Sequence, residues 1–484
     1  MELKTLINLI EPVHCTGSPN HIASLAMHTS EVRSGDIFVA LPSVWQDKPG
    51  GEQYINQALT QGASVILSVL PAPEGFPSDR CWLQVQDAHE ALSKLAKAFY
   101  PLQPKNLMAV TGTNGKTSVA DFTFQLWRMA GFPCARMGTI GVKDSFGHDY
   151  GDNGYTMPNA TTLHKTVHGL ASEGVEYLAL EASSHAIVQH RMDNLEVSIA
   201  AFTNLTHEHL DYHGDMENYF HAKSLLFSKL LSPTGTAIIN RDDPVCGKLE
   251  AILAGRGIRT ITYGTQKADI CANITSKHED GQDIELSVFG RDYHVQFPLI
   301  GHFQVSNAMC ALANAIISGA DETEAVAHLS QLHSVPGRLQ KVGNQVYVDY
   351  AHTPDALETA LKALRPHTKG RLLVVFGCGG NRDSFKRPVM GKIASDLADV
   401  VYITDDNPRL EDPTTIRQQI LVACSAGLEF ESRQEAIHQA IEDLKSGDIL
   451  LIAGKGHETG QIIGTDVQPF NDVTIAEQAL GIMR

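Results

Sequence analysis

The sequence predicts an α/β protein with several largely parallel sheets. Short β-rich runs alternate with helical stretches from residue 105 onward, and the later strands each end in a polar, Gly-rich or acidic loop. A chain of 484 residues also exceeds what one hydrophobic core usually supports, so two to four domains are expected.

Residues 1 to 104 carry two strand-like runs, DIFVAL (36–41) and SVILSVL (64–70), around the helix-like QYINQALTQG, then the helix-like AHEALSKLAKAFY. Pro101 and Pro104 mark a linker after this small α/β unit. From Lys105 the order is strand LMAVT, a Gly-rich loop, a helix over TSVADFTFQLWRMAG, and strands YLALEAS (177–183), SIAAFTNL (198–205) and TAIIN (236–240). Residues 265–297 read as an antiparallel addition, and HFQVSNAMCALANAIISG opens a helix whose early residues are expected to face a nucleotide.

After VPGRLQ (335–340) a further alternation begins. Its strands are VYVDY, LLVVFG, DVVYITDD and DILLIAGKG, with helices near Pro354 and Pro388 and after Pro413. Open α/β sheets bind ligands beyond the carboxyl ends of their strands, so DYAHTPD, GCGGNRD, DDNPR and GKGHE are expected at one edge.

Composition narrows the partners. Hydrophobic content of 43% with 19% charged residues is that of an ordinary globular protein, and a net charge of −17 argues against nucleic acid or anionic membrane as a partner. Eight scattered cysteines without a C-x-x-C pair suggest neither a zinc knuckle nor a disulfide framework. The start MELKTLINLI lacks signal-peptide features, and no apolar run approaches membrane-spanning length, so a cytoplasmic protein without membrane insertion is expected.

The string TGTNGKT, Thr111 to Thr117, is the strongest chemical signal. Gly112, Thr113, Asn114 and Gly115 allow backbone N–H groups close to phosphate oxygens, and the following helix N-terminus, Thr117 and Ser118 onward, favours negative charge. Lys116 can reach β and γ phosphates, and the Thr117 hydroxyl can ligate Mg²⁺, so a nucleoside triphosphate is the expected ligand. Val110 stands where the common phosphate-loop pattern has its first glycine.

Glu181 and His209 follow strands that end near this loop, and with Thr117 they offer a small oxygen and nitrogen set for Mg²⁺. His207, Asp211, His213 and Asp215 are neighbouring alternatives in TNLTHEHLDYHGD, where helix capping explains an acid equally well. Lys223 shares a helical face with Phe220, Phe227 and Leu231. An amine in such a setting tends to neutrality and can then add CO₂ to form a carbamate, although a lysine snorkelling from a helix edge fits the spacing as well. ASSHAIVQHR places serines, Gln189 and Arg191 where a carboxylate or phosphate could be held.

Taken in order, TGTNGKT, EASSHAIVQHR, FTNLTHEHLDYHG, the Lys223 helix, GHFQVSNAMCA, VPGR, DYAHTPDAL, FGCGGNRD, TDDNPR and AGKGHE resemble the Mur ligases, and among them the MurE branch that adds 2,6-diaminopimelate. The resemblance implies three domains: 1–104 for the UDP end of a nucleotide-sugar peptide, 105–335 as a central P-loop ATPase-type domain with a parallel sheet, and 336–484 as a Rossmann-like domain for the amino acid. It also implies that ATP phosphorylates the D-Glu γ-carboxyl of UDP-MurNAc-L-Ala-D-Glu and that the amine of meso-diaminopimelate then displaces phosphate.

Site roles follow from the same resemblance. Lys116 would be catalytic, Thr117 would hold one Mg²⁺, and Glu181, His209 and a carbamylated Lys223 a second. Asn307, Arg338, Asp349 and His352 would line ATP, and Thr156, Met157, Ser183, Gln189 and Arg191 the muramoyl-peptide. Asp406, Asn407, Pro408 and Arg409 would select diaminopimelate over lysine, Arg409 holding the distal carboxylate, with Arg382, Gly454 and Glu458 completing the pocket. The chain departs from the family around UDP. His28, Thr29, Ser30 and Glu31 stand where an Asp-Ser-Arg-like string is usual, with Ser30 keeping its contact, and Met157 replaces a threonine. A monomer is expected. Competing readings are a folylpolyglutamate synthase, which shares the loop but lacks DNPR, and a nucleotide-gated binding protein that ligates nothing.

Overall fold

The computed structural model describes residues 2–19, 22–43, 50–151, 156–279 and 281–482. The chain forms two compact units, Met1–Lys116 with Gly131–Ile261, and Thr117–Ala130 with Thr262–Arg484.

In the first unit, a five-stranded sheet runs in the order His14–Thr16, Cys81–Gln84, Val65–Ser68, Ile37–Val39, Leu25–Ala26. All its pairings are parallel except that of His14–Thr16. Helices Leu3–Ile10 and Ala88–Phe99 cover one face through Leu6, Ile10, Leu92 and Leu95. Asp87 caps the second, accepting from the His89 and Glu90 amides. The helix expected over 53–62 is an α-helix only at Ile55–Gln61, preceded by a 3₁₀ turn, Gly51–Tyr54.

The same unit holds a second set of strands in the order Leu231–Asn240, Val197–Phe202, Asn106–Thr111, Tyr177–Glu181, Cys134–Gly138, Gly141–Asp144. All pairings here are parallel except the last. Leu107 to Val110 are fully buried, as a central parallel strand requires. Strand Cys134–Gly138 went unpredicted because CARMG has no β-branched residue. Between Pro101 and Pro104, the Gln103 side chain donates to the Glu196 carbonyl at 3.2 Å, so the linker is tied to the sheet it precedes.

In the second unit, strands Ile270–His278, Gly281–Val288 and Arg291–Phe297 are antiparallel, as expected, with residue 280 of the expected span outside the described residues. One correction applies at its start: Tyr263 and Gly264 pair parallel with Ile270 and Cys271. The Asp269 carboxylate ties this turn, accepting from the Thr262 amide and hydroxyl at 2.8 Å each.

The six-stranded sheet has the order Gln340–Val342, Val346–Asp349, Ile449–Ala453, Leu372–Phe376, Val400–Ile403, Leu428–Glu429, antiparallel only at its first pair. Its parallel strands bring the loops at 349–355, 377–383, 405–409 and 454–458 to one edge, as expected. Helices Pro354–Leu364 and Pro413–Leu421 begin on the predicted prolines, which suit a first helical turn that needs no N–H donor.

Deep in this sheet's packing, Arg433 and Asp472 form an ion pair at 2.7 Å with both side chains fully buried, and Arg433 also donates to the Ala453 carbonyl. Removing one partner strands a buried charge. Arg433→Ala is therefore expected to cost about 3–5 kcal/mol, read as a lowered urea midpoint, and a variant as stable as the parent would refute the assignment.

Candidate active site

The strand Asn106–Thr111 delivers the phosphate loop from the middle of its sheet, between Val197–Phe202 and Tyr177–Glu181. Gly112 has φ +152°, and a Cβ there would lie 1.8 Å from the Thr203 hydroxyl, so no larger residue fits. The loop is braced by the segment after the neighbouring strand. The Thr113 amide donates to the Asn204 carbonyl at 2.8 Å, the Asn114 amide to the Asn204 side chain at 2.8 Å, and the Thr203 hydroxyl to the Asn114 carbonyl at 2.6 Å.

Two lysines converge on this loop. Lys116 Nζ donates to the Gly112 and Thr113 carbonyls at 2.8 and 2.6 Å, and Lys223 Nζ donates to the same Gly112 carbonyl at 2.8 Å. Lys223 is buried, with its Nζ 4.3 Å from the centre of the Tyr219 ring. Burial and then the Lys116 charge push its amine well below the usual lysine range, against the opposing pull of Glu208. The snorkelling alternative is thereby excluded. The helix is shorter than the spacing suggested: it is α-helical at Met216–Leu225 and π-helical at Leu226–Leu230, and Leu231 opens a strand instead of extending the helical face.

Glu181 pairs in register with Val110 and is buried, its oxygens accepting from the Thr139 amide and hydroxyl at 2.8 and 3.1 Å. The Thr139 hydroxyl meets that of Thr156 at 3.0 Å, which joins Thr156 to the same cluster. His209, in a left-handed conformation at φ 57°, stacks edge-on against His185. Partial burial lowers its pKa, Lys116 and Lys223 adding to this against Glu208. Burial brings His185 and His213 down to about 4, so this ring cluster stays neutral at physiological pH.

Gln189, Arg191 and Met157 also come together. Arg191 donates to the Gln189 side-chain oxygen at 2.6 Å and to the Met157 carbonyl at 2.6 Å, while Gln189 donates to the Tyr212 hydroxyl. Ser183 caps helix Ser184–Val188. Ser30 lies exposed in the turn Thr29–Glu31. Asp215 is the N-cap of the Lys223 helix, which is the capping role weighed against metal binding.

In the second unit, Thr117 and Ser118 are buried in the first turn of their helix, and Arg338 donates to the Thr117 hydroxyl at 3.4 Å. Arg338 stacks over the Tyr350 ring at 4.8 Å. Asp349 is buried and accepts from the Leu339 and Ala351 amides at 2.6 and 2.8 Å. Burial raises its pKa against the opposing pull of Arg338 and these amides. His352 donates to the Tyr350 carbonyl, and Asn307 is buried on helix His302–Ile317.

At the shared loop edge, Arg409 adopts φ 53° and donates to the Gly380 carbonyl at 3.0 Å. A Cβ on Gly380 would lie 1.9 Å from the Pro408 carbonyl, and one on Gly454, at φ +117°, would lie 2.7 Å from an Asp406 oxygen. Burial and then the Arg382 charge lower the Arg409 pKa, with Asp406 and Glu458 opposing. Asn407 donates to Glu458 at 3.0 Å and accepts from the Ile462 amide at 2.9 Å. Arg409 thus lies near Arg382, Asp406 and Glu458, groups of both charge signs.

The Mur ligase middle domain matches residues 110–315 and the Mur ligase glutamate ligase domain residues 337–456. The chain belongs to the Mur ligase family. A UDP-N-acetylmuramoyl-L-alanyl-D-glutamate–2,6-diaminopimelate ligase of Zymomonas mobilis subsp. mobilis is 42% identical over 471 residues, 95% of each chain. A solved structure of a ligase of that same name superposes with TM-score 0.68 at 32% identity, covering 95% of each chain. A Mycobacterium tuberculosis folylpolyglutamate synthase complexed with ADP and AMPPCP shares the fold alone, with TM-score 0.63 at 19% identity over 82% of this chain and 95% of that one.

Tyr219, Glu208 and Lys455 were missed as members of these Mur ligase clusters. The GKG string was the one available signal for Lys455, whereas nothing local marks Tyr219. Gly112→Ala should lower nucleotide affinity at least tenfold while the protein stays folded, since the added methyl must displace Thr203 and with it the loop brace. Calorimetric titration with ADP checks this, and an unchanged Kd would contradict it.

Proposed function

We propose that the chain joins meso-2,6-diaminopimelate to the D-Glu γ-carboxyl of UDP-N-acetylmuramoyl-L-alanyl-D-glutamate, consuming ATP in cytoplasmic peptidoglycan precursor synthesis. The observation that carries the choice of amino acid is the Arg382 and Arg409 pair beside Asn407 and Glu458. Lysine would leave those guanidiniums without the distal carboxylate they suit.

In this reading the γ-carboxylate oxygen attacks the ATP γ-phosphorus, ADP leaves, and an acyl phosphate forms. The diaminopimelate amine attacks the acyl carbon, phosphate leaves with the bonding pair, and the amide forms with loss of the amine proton. Phosphoryl transfer needs placement and charge more than a protein nucleophile. Lys116 would leave its loop carbonyls for the phosphates, and the amides of Gly112 to Ser118 would cradle them. Asn307, Arg338, Asp349 and His352 would hold the rest of ATP. Thr156, Met157, Ser183, Gln189, Arg191 and Ser30 would hold the muramoyl-peptide.

The donors suit a hard divalent cation. The Thr117 hydroxyl would hold one Mg²⁺, and Glu181, His209 and Lys223 another once Lys223 is carbamylated. Bound Mg²⁺ supplies neutralisation of the negative charge on the transferring phosphoryl group. A buried amine poised toward neutrality is the form that adds CO₂, with release of one proton. The same reading assigns 1–104, 105–335 and 336–484 as lobes for UDP, ATP and the amino acid, in a monomer that engages neither nucleic acid nor membrane.

Phosphate release measured with ATP, the muramoyl dipeptide and a panel of amino acids should be fastest with diaminopimelate and yield the tripeptide by mass spectrometry. Arg409→Ala should raise the KM for diaminopimelate by at least tenfold and erode selectivity over lysine, and unchanged selectivity would remove that side chain from the reading. Lys223→Ala should lose most activity and regain part of it with short carboxylates such as acetate. Absence of any rescue would count against the carbamate.

A further inference from the structure

Lys455 is fully buried, yet it lies beside two residues assigned above to the amino-acid pocket. Its Nζ donates to Asn407 Oδ1 at 3.0 Å and to Glu458 Oε2 at 2.9 Å, and Asn407 Nδ2 donates to that same Glu458 oxygen at 3.0 Å. The three side chains close a triangle. Because Asn407 Oδ1 also accepts from the Ile462 amide, the Asn407 amide group has one orientation available. Glu458 Oε2 is fully engaged by two donors, and the Glu458 side chain keeps 32% of its surface exposed while that of Lys455 has none. Lys455 therefore cannot touch a substrate and acts through Glu458.

We infer that Lys455 is a positioning residue that aims the second oxygen of Glu458 at the distal ammonium of the amino-acid substrate. The inference rests on reading this pocket as the diaminopimelate site. It divides labour between charges: Arg409 and Arg382 read the distal carboxylate, and the Lys455–Asn407–Glu458 triangle reads the distal ammonium.

Lys455→Met is the test, since it keeps length and apolar volume while deleting the charge. Asn407 retains the Ile462 amide, and Glu458 retains Asn407. The assay compares diaminopimelate with 2-aminopimelate, which keeps the distal carboxylate but has no distal ammonium. In Lys455→Met the KM for diaminopimelate should rise about tenfold, while the KM for 2-aminopimelate and that for ATP stay within about twofold. In a Glu458→Gln background, Lys455→Met should add little further, as expected for residues acting through one contact.

A merely structural lysine would raise both amino-acid KM values together and lower the unfolding midpoint, and that result overturns the inference. So does a variant with wild-type KM values, or full additivity with Glu458→Gln. Wild-type enzyme that releases no phosphate with diaminopimelate at all overturns the pocket reading itself, and a wild-type enzyme that turns over both compounds with equal KM overturns the ammonium contact alone.

Discussion

The space that Gly112 leaves empty organises the first unit. Thr203 fills that volume from just past the adjacent strand, its hydroxyl donating to the Asn114 carbonyl and its amide to the Thr111 carbonyl. The close approach clamps the loop against the sheet and leaves the Gly112 carbonyl to accept from two lysines at once. From that one carbonyl follows the proximity of Lys116 to Lys223, which adds to the burial that depresses the Lys223 amine and to the burial that lowers His209. A side chain at residue 112 would displace Thr203 and disturb the loop whose carbonyl both lysines share.

Features written in contiguous residues were legible. TGTNGKT announces its turn, its lysine and its helix start within seven residues, and the strands from LMAVT to LLVVFG show the buried, β-branched or apolar runs of parallel sheets. Contacts that join distant segments were not legible. Lys223 meets Gly112 across 111 positions, and Lys455 meets Asn407 across 48. Helix Arg433–Glu442 could have been found from Ser432 and Glu435, a capping pair, but its buried arginine resembles a surface residue until Asp472 is brought against it. Strand Cys134–Gly138 was hidden for a different reason: its β character comes from being sandwiched in the sheet, and its composition carries no trace of that.

In the proposed reading the two units would meet anionic groups by different chemistry. Around the phosphate loop, backbone amides and the Lys116 ammonium would serve in the proposed reading, since a phosphoryl group in transfer changes shape and charge and a flexible lysine can follow it. At the loop edge of the six-stranded sheet, the cation is a guanidinium fixed by the Gly380 carbonyl and by a left-handed backbone, suited to a carboxylate that must be recognised without changing.

That fixed arrangement carries a tension that bears on selectivity. Burial and then Arg382 disfavour the charge on Arg409, and Asp406, Glu458 and Tyr350 oppose them. Glu458 is itself engaged by Lys455 and Asn407, so its capacity to offset the arginines is already shared. In the proposed reading, a carboxylate would relieve the repulsion between the guanidiniums, whereas an amino acid with an apolar or cationic end would leave it in place. In the proposed reading, discrimination would come from this repulsion as well as from the contacts the right substrate makes, and Gly380 and Gly454 let the loops crowd together, since a Cβ there would lie 1.9 Å from the Pro408 carbonyl or 2.7 Å from an Asp406 oxygen.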